Sequence, residues 1–184
     1  LTMWRGGRSW RALHQPLPVW LLGVTGLFGY HLAYFTALRN APPVEAGLIA
    51  YLWPLLIVLL SALLPGERLG WHHVAGGLAG FVGAALIVAG GEGVGFRPEF
   101  AFGYAMALLC AFTWSGYSVL SRRFGDVSTD IVSGHCLATA VLSLVAHLAL
   151  ESTVVPDSPV EWLAIAGLGL GPVGAAFYVW DHGV

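Results

Sequence analysis

Charge is what this sequence has least of. Charged side chains make up 10% of its 184 residues, and lysine does not occur at all. A soluble domain carries about 25%. With 57% of residues hydrophobic, there is too little polar surface to cover a water-soluble globule. The eight positive charges are all arginines, at 5, 8, 11, 39, 68, 97, 122 and 123. None builds a basic run interleaved with aromatics, which excludes a nucleic-acid partner. Cysteine is nearly absent too: Cys110 and Cys136 both sit inside apolar runs and read as small core residues, not as a disulfide or metal pair. His72 and His73 are adjacent and lack the i, i+4 spacing of helical metal ligands. No HExxH, GxSxG or paired aspartates occur, so no catalytic residue, metal ligand or cofactor is expected.

What is present in quantity is uninterrupted apolar chain, with a mean hydropathy of +0.76. Six runs reach the roughly 20 residues needed to cross a bilayer core: 18–38, 44–64, 71–90, 100–120, 129–150 and 160–180. Turn chemistry separates them: Asn40-Ala-Pro-Pro, Pro65-Gly66, Gly90 to Gly93, Gly125-Asp126 and Pro156 to Pro159. The class is therefore an all-α membrane protein of six transmembrane helices, with the lipid bilayer as its surroundings. Successive loops alternate sides, and six arginines (5, 8, 11, 68, 122, 123) fall on one side against Arg39 and Arg97 on the other. That bias predicts a cytoplasmic N-terminal segment and an outer loop from Glu151 to Glu161. The chain begins at Leu1 and stops at Val184 just past an apolar run, so it is expected to be cut at both ends. Glycine pairs at Gly76/Gly80 and Gly167/Gly171 have the small-xxx-small spacing of close helix contacts.

The stretch Tyr30–Leu64 holds the candidate site. Leu27, Tyr30, His31, Tyr34 and Leu38 share one helical face. The tyrosines alone fit packing or an interfacial belt. His31 argues for a cavity, because an ionisable group at depth faces the bundle interior or water. In the next run Tyr51 and Trp53 point about 200° apart on a straight helix. Pro54 removes the partner of the Ala50 carbonyl and is expected to bend the axis there. On the fourth run Trp114, Tyr117, Ser118 and Ser121 share a face, with Trp114 at mid-depth. The candidate binding residues are Tyr30, His31, Tyr34, Tyr51, Trp53, Trp114 and Tyr117. Aromatic walls of this kind suit a flat apolar small molecule, or its ammonium group through the ring faces. Such a lining favours solute transport, against the rival classes of an intramembrane enzyme and a non-transporting membrane scaffold. No arginine lies within a span to meet a carboxylate. Glu45 stands near a span end, where water or a cap is expected to satisfy it.

The first span, WLLGVTGLFGYHLAYFTAL, and the sixth, WLAIAGLGLGPVGAAFYVWD, share a Trp-Leu start, a glycine-spaced middle and an aromatic end, with Tyr34 matched to Tyr178. The fourth span, GYAMALLCAFTWSGYSVLSRRF, resembles the helix that opens the second repeat in the EamA group of drug/metabolite transporters. Pro42-Pro43, Tyr51 to Leu55, Glu67-Arg68-Leu69, Gly76 and Gly83 resemble that group's fourth and fifth helices. YFTALRNAPPVEAGLIAYLWPLL and AAFYVWDHGV are most similar to its branch of aromatic amino acid exporters. The resemblance implies ten helices in two inverted five-helix repeats, of which this chain is a fragment covering helices three to eight. Residues 1–97 would end the first repeat and 98–184 would begin the second. It also implies a bacterial inner-membrane exporter whose partner is a small-molecule substrate.

Overall fold

The computed structural model describes residues 12–67, 69–89, 95, 97–125 and 127–183. Arg5, Arg8, Arg11 and Arg68, the Gly90–Gly93 turn and Asp126 lie outside the described residues. Among those described there is no strand. The order is α1 (Leu17–Val24), a π-helical turn (Thr25–Gly29), α2 (Tyr30–Asn40), α3 (Pro43–Ala50), α4 (Trp53–Ser61), α5 (Trp71–Ala89), α6 (Ala101–Ser121), α7 (Ile131–Leu150), α8 (Pro159–Leu170), a second π turn (Gly171–Ala175) and α9 (Ala176–Gly183). These join into six rods. Five, Leu17–Asn40, Pro43–Ser61, Pro98–Phe124, Ile131–Leu150 and Pro159–Gly183, are long and apolar enough to cross a membrane. The sixth is α5, 19 residues long. The six-helix, all-α architecture read from the apolar runs is the one observed.

The chain divides into two compact units, Thr25–Leu120 and Leu1–Val24 with Ser121–Val184. In Thr25–Leu120, α2 ends at Asn40 because Ala41 is extended and two prolines follow. Pro43 then opens α3, at a position where a missing N–H costs nothing. The next rod is broken rather than merely bent. Pro54 cannot donate to Ala50, so the ladder tightens: Leu52 N–H reaches the Ile49 carbonyl at 3.1 Å. Regular bonding resumes with Leu56 N–H to Leu52 at 2.9 Å. The expected deformation is thus an interruption at Tyr51-Leu52. The turn before α5 needs Gly66, whose φ of 87° is left-handed.

Small residues bring α2, α3 and α6 together. Ala37, Ala41, Ala46 and Ala107 form one buried cluster, and Ala33, Ala50 and Cys110 another. A Cβ on Gly103 would come within 2.6 Å of the Asn40 carbonyl, so this position admits only hydrogen. At Gly76, Gly80, Gly167 and Gly171 a Cβ would meet nothing within 4 Å among the described residues. Spacing alone does not say which face is covered. Glu45 also departs from expectation. It is 9% exposed, and the Tyr104 hydroxyl donates to its carboxylate while accepting from Arg97 N–H.

In the second unit α1 packs on α7. The His135 ring lies over Gly23, and Gly134 leaves room for the Trp20 ring, 2.6 Å from where a Cβ would stand. Trp20 meets His135 edge-on at 5.3 Å. Ser133 of α7 is hydrogen-bonded to Tyr178 of α9. Ser158 caps α8 by accepting from Glu161 N–H, and Glu161 in return accepts from Asp157 N–H at 2.9 Å.

Candidate functional site

Within Thr25–Leu120 the first rod changes its winding directly before the aromatic face. The π turn over Thr25–Gly29 adds a residue to the hydrogen-bonded ring, a feature that clusters at functional sites. It ends at Tyr30. His31 Nδ1 lies 2.7 Å from the Leu27 carbonyl. A carbonyl can only accept, so Nδ1 is the donor in this contact.

Tyr30 is the hub of the cluster. Its ring stacks with Tyr34 at 6.0 Å and 6°, meets His31 edge-on at 5.1 Å, and approaches Trp114 of α6 at 5.3 Å and 51°. Trp114 in turn meets Tyr117 at 5.5 Å. Such ring pairs contribute about 0.5–1.5 kcal/mol beyond their buried area. Tyr30 and Tyr34 both pack on the Ala33, Ala50 and Cys110 cluster, where α3 delivers the residue preceding Tyr51. Tyr51 follows Ala50 of that cluster directly in the chain.

The structure therefore gathers Tyr30, His31, Tyr34, Tyr51, Trp114 and Tyr117 in one region. Their exposure grades the set. Trp114 is 8% and Tyr117 5% exposed, whereas Tyr51 is 49% exposed. Tyr30, His31 and Tyr34 lie between. Trp114 and Tyr117 are thus a packed floor, and the tyrosines and histidine stand above it. Trp53 joins through its backbone, as its carbonyl accepts from the Ser115 hydroxyl at 3.0 Å. Among the described residues no three His, Cys, Asp or Glu side chains gather as a metal site.

Three contributors escaped the sequence pattern. Gly26 lets the Tyr117 ring lie against the π turn, 2.5 Å from where a Cβ would be. Cys110 is fully buried in the cluster against which Tyr30 packs. Ser115 is fully buried and reaches across to another rod. A glycine, a cysteine and a serine inside apolar runs carry no signal of their own. Only their neighbours across the fold reveal them.

Membrane-length rods packed through small residues around a cluster of polar-edged aromatics define a multi-pass membrane protein. Residues 1–89 match the EamA-like transporter family. The chain is 58% identical over 173 residues to an aromatic amino acid exporter, YddG, of Ancylobacter novellus, covering 94% of this chain and 60% of that protein. YddG of Escherichia coli K12, also an aromatic amino acid exporter, is 24% identical over 147 residues, 77% of this chain and 50% of its own length. A crystal structure of a protein 57% identical in sequence superposes with a TM-score of 0.89, covering 94% of this chain and 60% of that one. The chain thus spans about 60% of the length of its well-matched relatives.

Proposed function

We propose that these helices belong to an exporter of small solutes, aromatic amino acids in particular, and that the aromatic cluster is part of its binding cavity. Tyr34, His31 and Tyr51 present rings and polar edges to the substrate, Trp114 and Tyr117 form the floor beneath, and Tyr30 joins the two. Trp53 completes the wall after the break. The observation that carries this reading is the contact of Tyr30 with Trp114 at 5.3 Å. It joins two rods assigned to different repeats, and in inverted-repeat transporters the substrate site lies where the repeats meet. Residues 1–97 and 98–184 are read as the end of one repeat and the start of the other, within a ten-helix 5+5 protein. The paired π turns support this, since each directly precedes the aromatic end of its rod, with Tyr34 in one and Tyr178 in the other. The arginine asymmetry supports a cytoplasmic N-terminal segment in a bacterial inner membrane.

The test is uptake of tryptophan, phenylalanine and alanine into proteoliposomes by the full-length parent and by Tyr34→Ala, Tyr51→Ala and His31→Ala. Losing one ring contact is expected to cost aromatic uptake about two- to tenfold, with alanine affected less. Equal losses for all three solutes, tracking a drop in thermal stability, would return these side chains to packing. A parent that moves other solutes but no aromatic one would leave the family reading and remove the substrate.

A further inference from the structure

Ser115 is fully buried in α6, beside Trp114 in the chain. Its hydroxyl lies 2.6 Å from the Ala111 carbonyl one turn back and 3.0 Å from the Trp53 carbonyl on another rod. Trp53 is the first residue of α4, immediately after the interruption at Tyr51-Leu52. That interruption is a soft joint, because Pro54 leaves the Ala50 carbonyl without its usual donor and Leu52 bonds one residue short. Hydrogen bonds along the rod therefore define the direction of α4 weakly. A bond from a neighbouring rod at its first residue defines it better.

We propose that Ser115 is a positioning residue of the aromatic site: its hydroxyl clamps the Trp53 carbonyl and so sets Tyr51 and Trp53, on either side of the break, relative to the α6 aromatic face. The clamp is releasable. One hydroxyl proton serves two carbonyls, and when α4 moves away it settles on Ala111 with nothing stranded. Discontinuous helices at substrate sites must both hold and yield, and a shared proton allows both. Removing the hydroxyl strands nothing either, since both carbonyls stand in helices with backbone partners of their own. Ser115→Ala is therefore expected to fold.

This inference rests on the aromatic-site reading, and two readouts on the full-length protein separate the two. The first is 19F NMR with 5-fluorotryptophan, the Trp53 resonance being identified by its loss in Trp53→Phe. Ser115→Ala should shift or broaden that resonance, and Ser115→Thr, which keeps the hydroxyl, should restore it. The second is transport. Ser115→Ala should raise the KM for tryptophan about fivefold, the cost of one hydrogen bond, with kcat and the midpoint of thermal unfolding little changed. An unmoved Trp53 resonance in Ser115→Ala overturns the clamp whatever transport shows. A moved resonance with unchanged KM leaves the clamp without a part in the site, which also overturns the proposal. A parent that moves no aromatic solute defeats the aromatic-site reading, and the positioning role with it, whichever way the resonance moves.

Discussion

The two compact units treat buried polar groups in opposite ways. In Thr25–Leu120, Ser115 and Ser118 donate to carbonyls, and Glu45 is bound by Tyr104. In the other unit both ring nitrogens of His135 and the hydroxyl of Thr139 are buried with no hydrogen-bond partner among the described residues. Two close glycine approaches differ in kind as well: Gly103 meets the Asn40 backbone, whereas Gly23 meets the His135 ring. A site that must hold rings in register benefits from the first arrangement. Satisfied polar groups and backbone-to-backbone contact leave few alternative packings.

The hardest way to break this contrast is to add a methyl group at each close approach. Gly103→Ala pushes against the Asn40 carbonyl, which can move only with the backbone, and should destabilise by about 3 kcal/mol. Gly23→Ala pushes against the His135 imidazole, which can turn away, and should cost about 1 kcal/mol. The thermal unfolding midpoints of the two purified variants decide it. A larger loss at Gly23 would reverse the contrast.

A smaller effect is expected at the buried carboxylate. Tyr104→Phe removes the donor to Glu45 and should cost about 1–3 kcal/mol. The pair Tyr104→Phe with Glu45→Leu removes both partners and should recover much of that loss. A double variant no more stable than Tyr104→Phe alone would show that the bond matters little.

The smallest effect, and the most diagnostic, is at Thr139. Valine has nearly the same shape, and the hydroxyl it removes is unpaired. Thr139→Val should therefore leave the unfolding midpoint unchanged or raise it slightly, within about 1 kcal/mol. Tyr104→Phe, in contrast, must lower it. A clear loss of stability in Thr139→Val would erase the difference between the units.

Much of the architecture was legible in the sequence. Apolar run length dictated the rods, because a segment inside a bilayer must satisfy its own backbone and does so as a helix. Prolines and glycines marked the turns, and Pro54 announced the broken rod through a single missing N–H. The shared face of Tyr30, His31 and Tyr34 follows from helical geometry alone.

Contacts between rods were another matter. Periodicity places residues on a face but does not say what that face meets. A Cβ at Gly76 or Gly80 would meet nothing within 4 Å among the described residues, while Gly26, Gly103 and Gly134 are pressed against rings or backbone. The floor made by Trp114 and Tyr117, the burial of Glu45 by Tyr104, and the reach of Ser115 to Trp53 were decided by packing between segments far apart in the chain. Local sequence determines the helices because their hydrogen bonds are local. Which rings cluster depends on side chains of distant segments filling one another's space, and that only the tertiary structure decides.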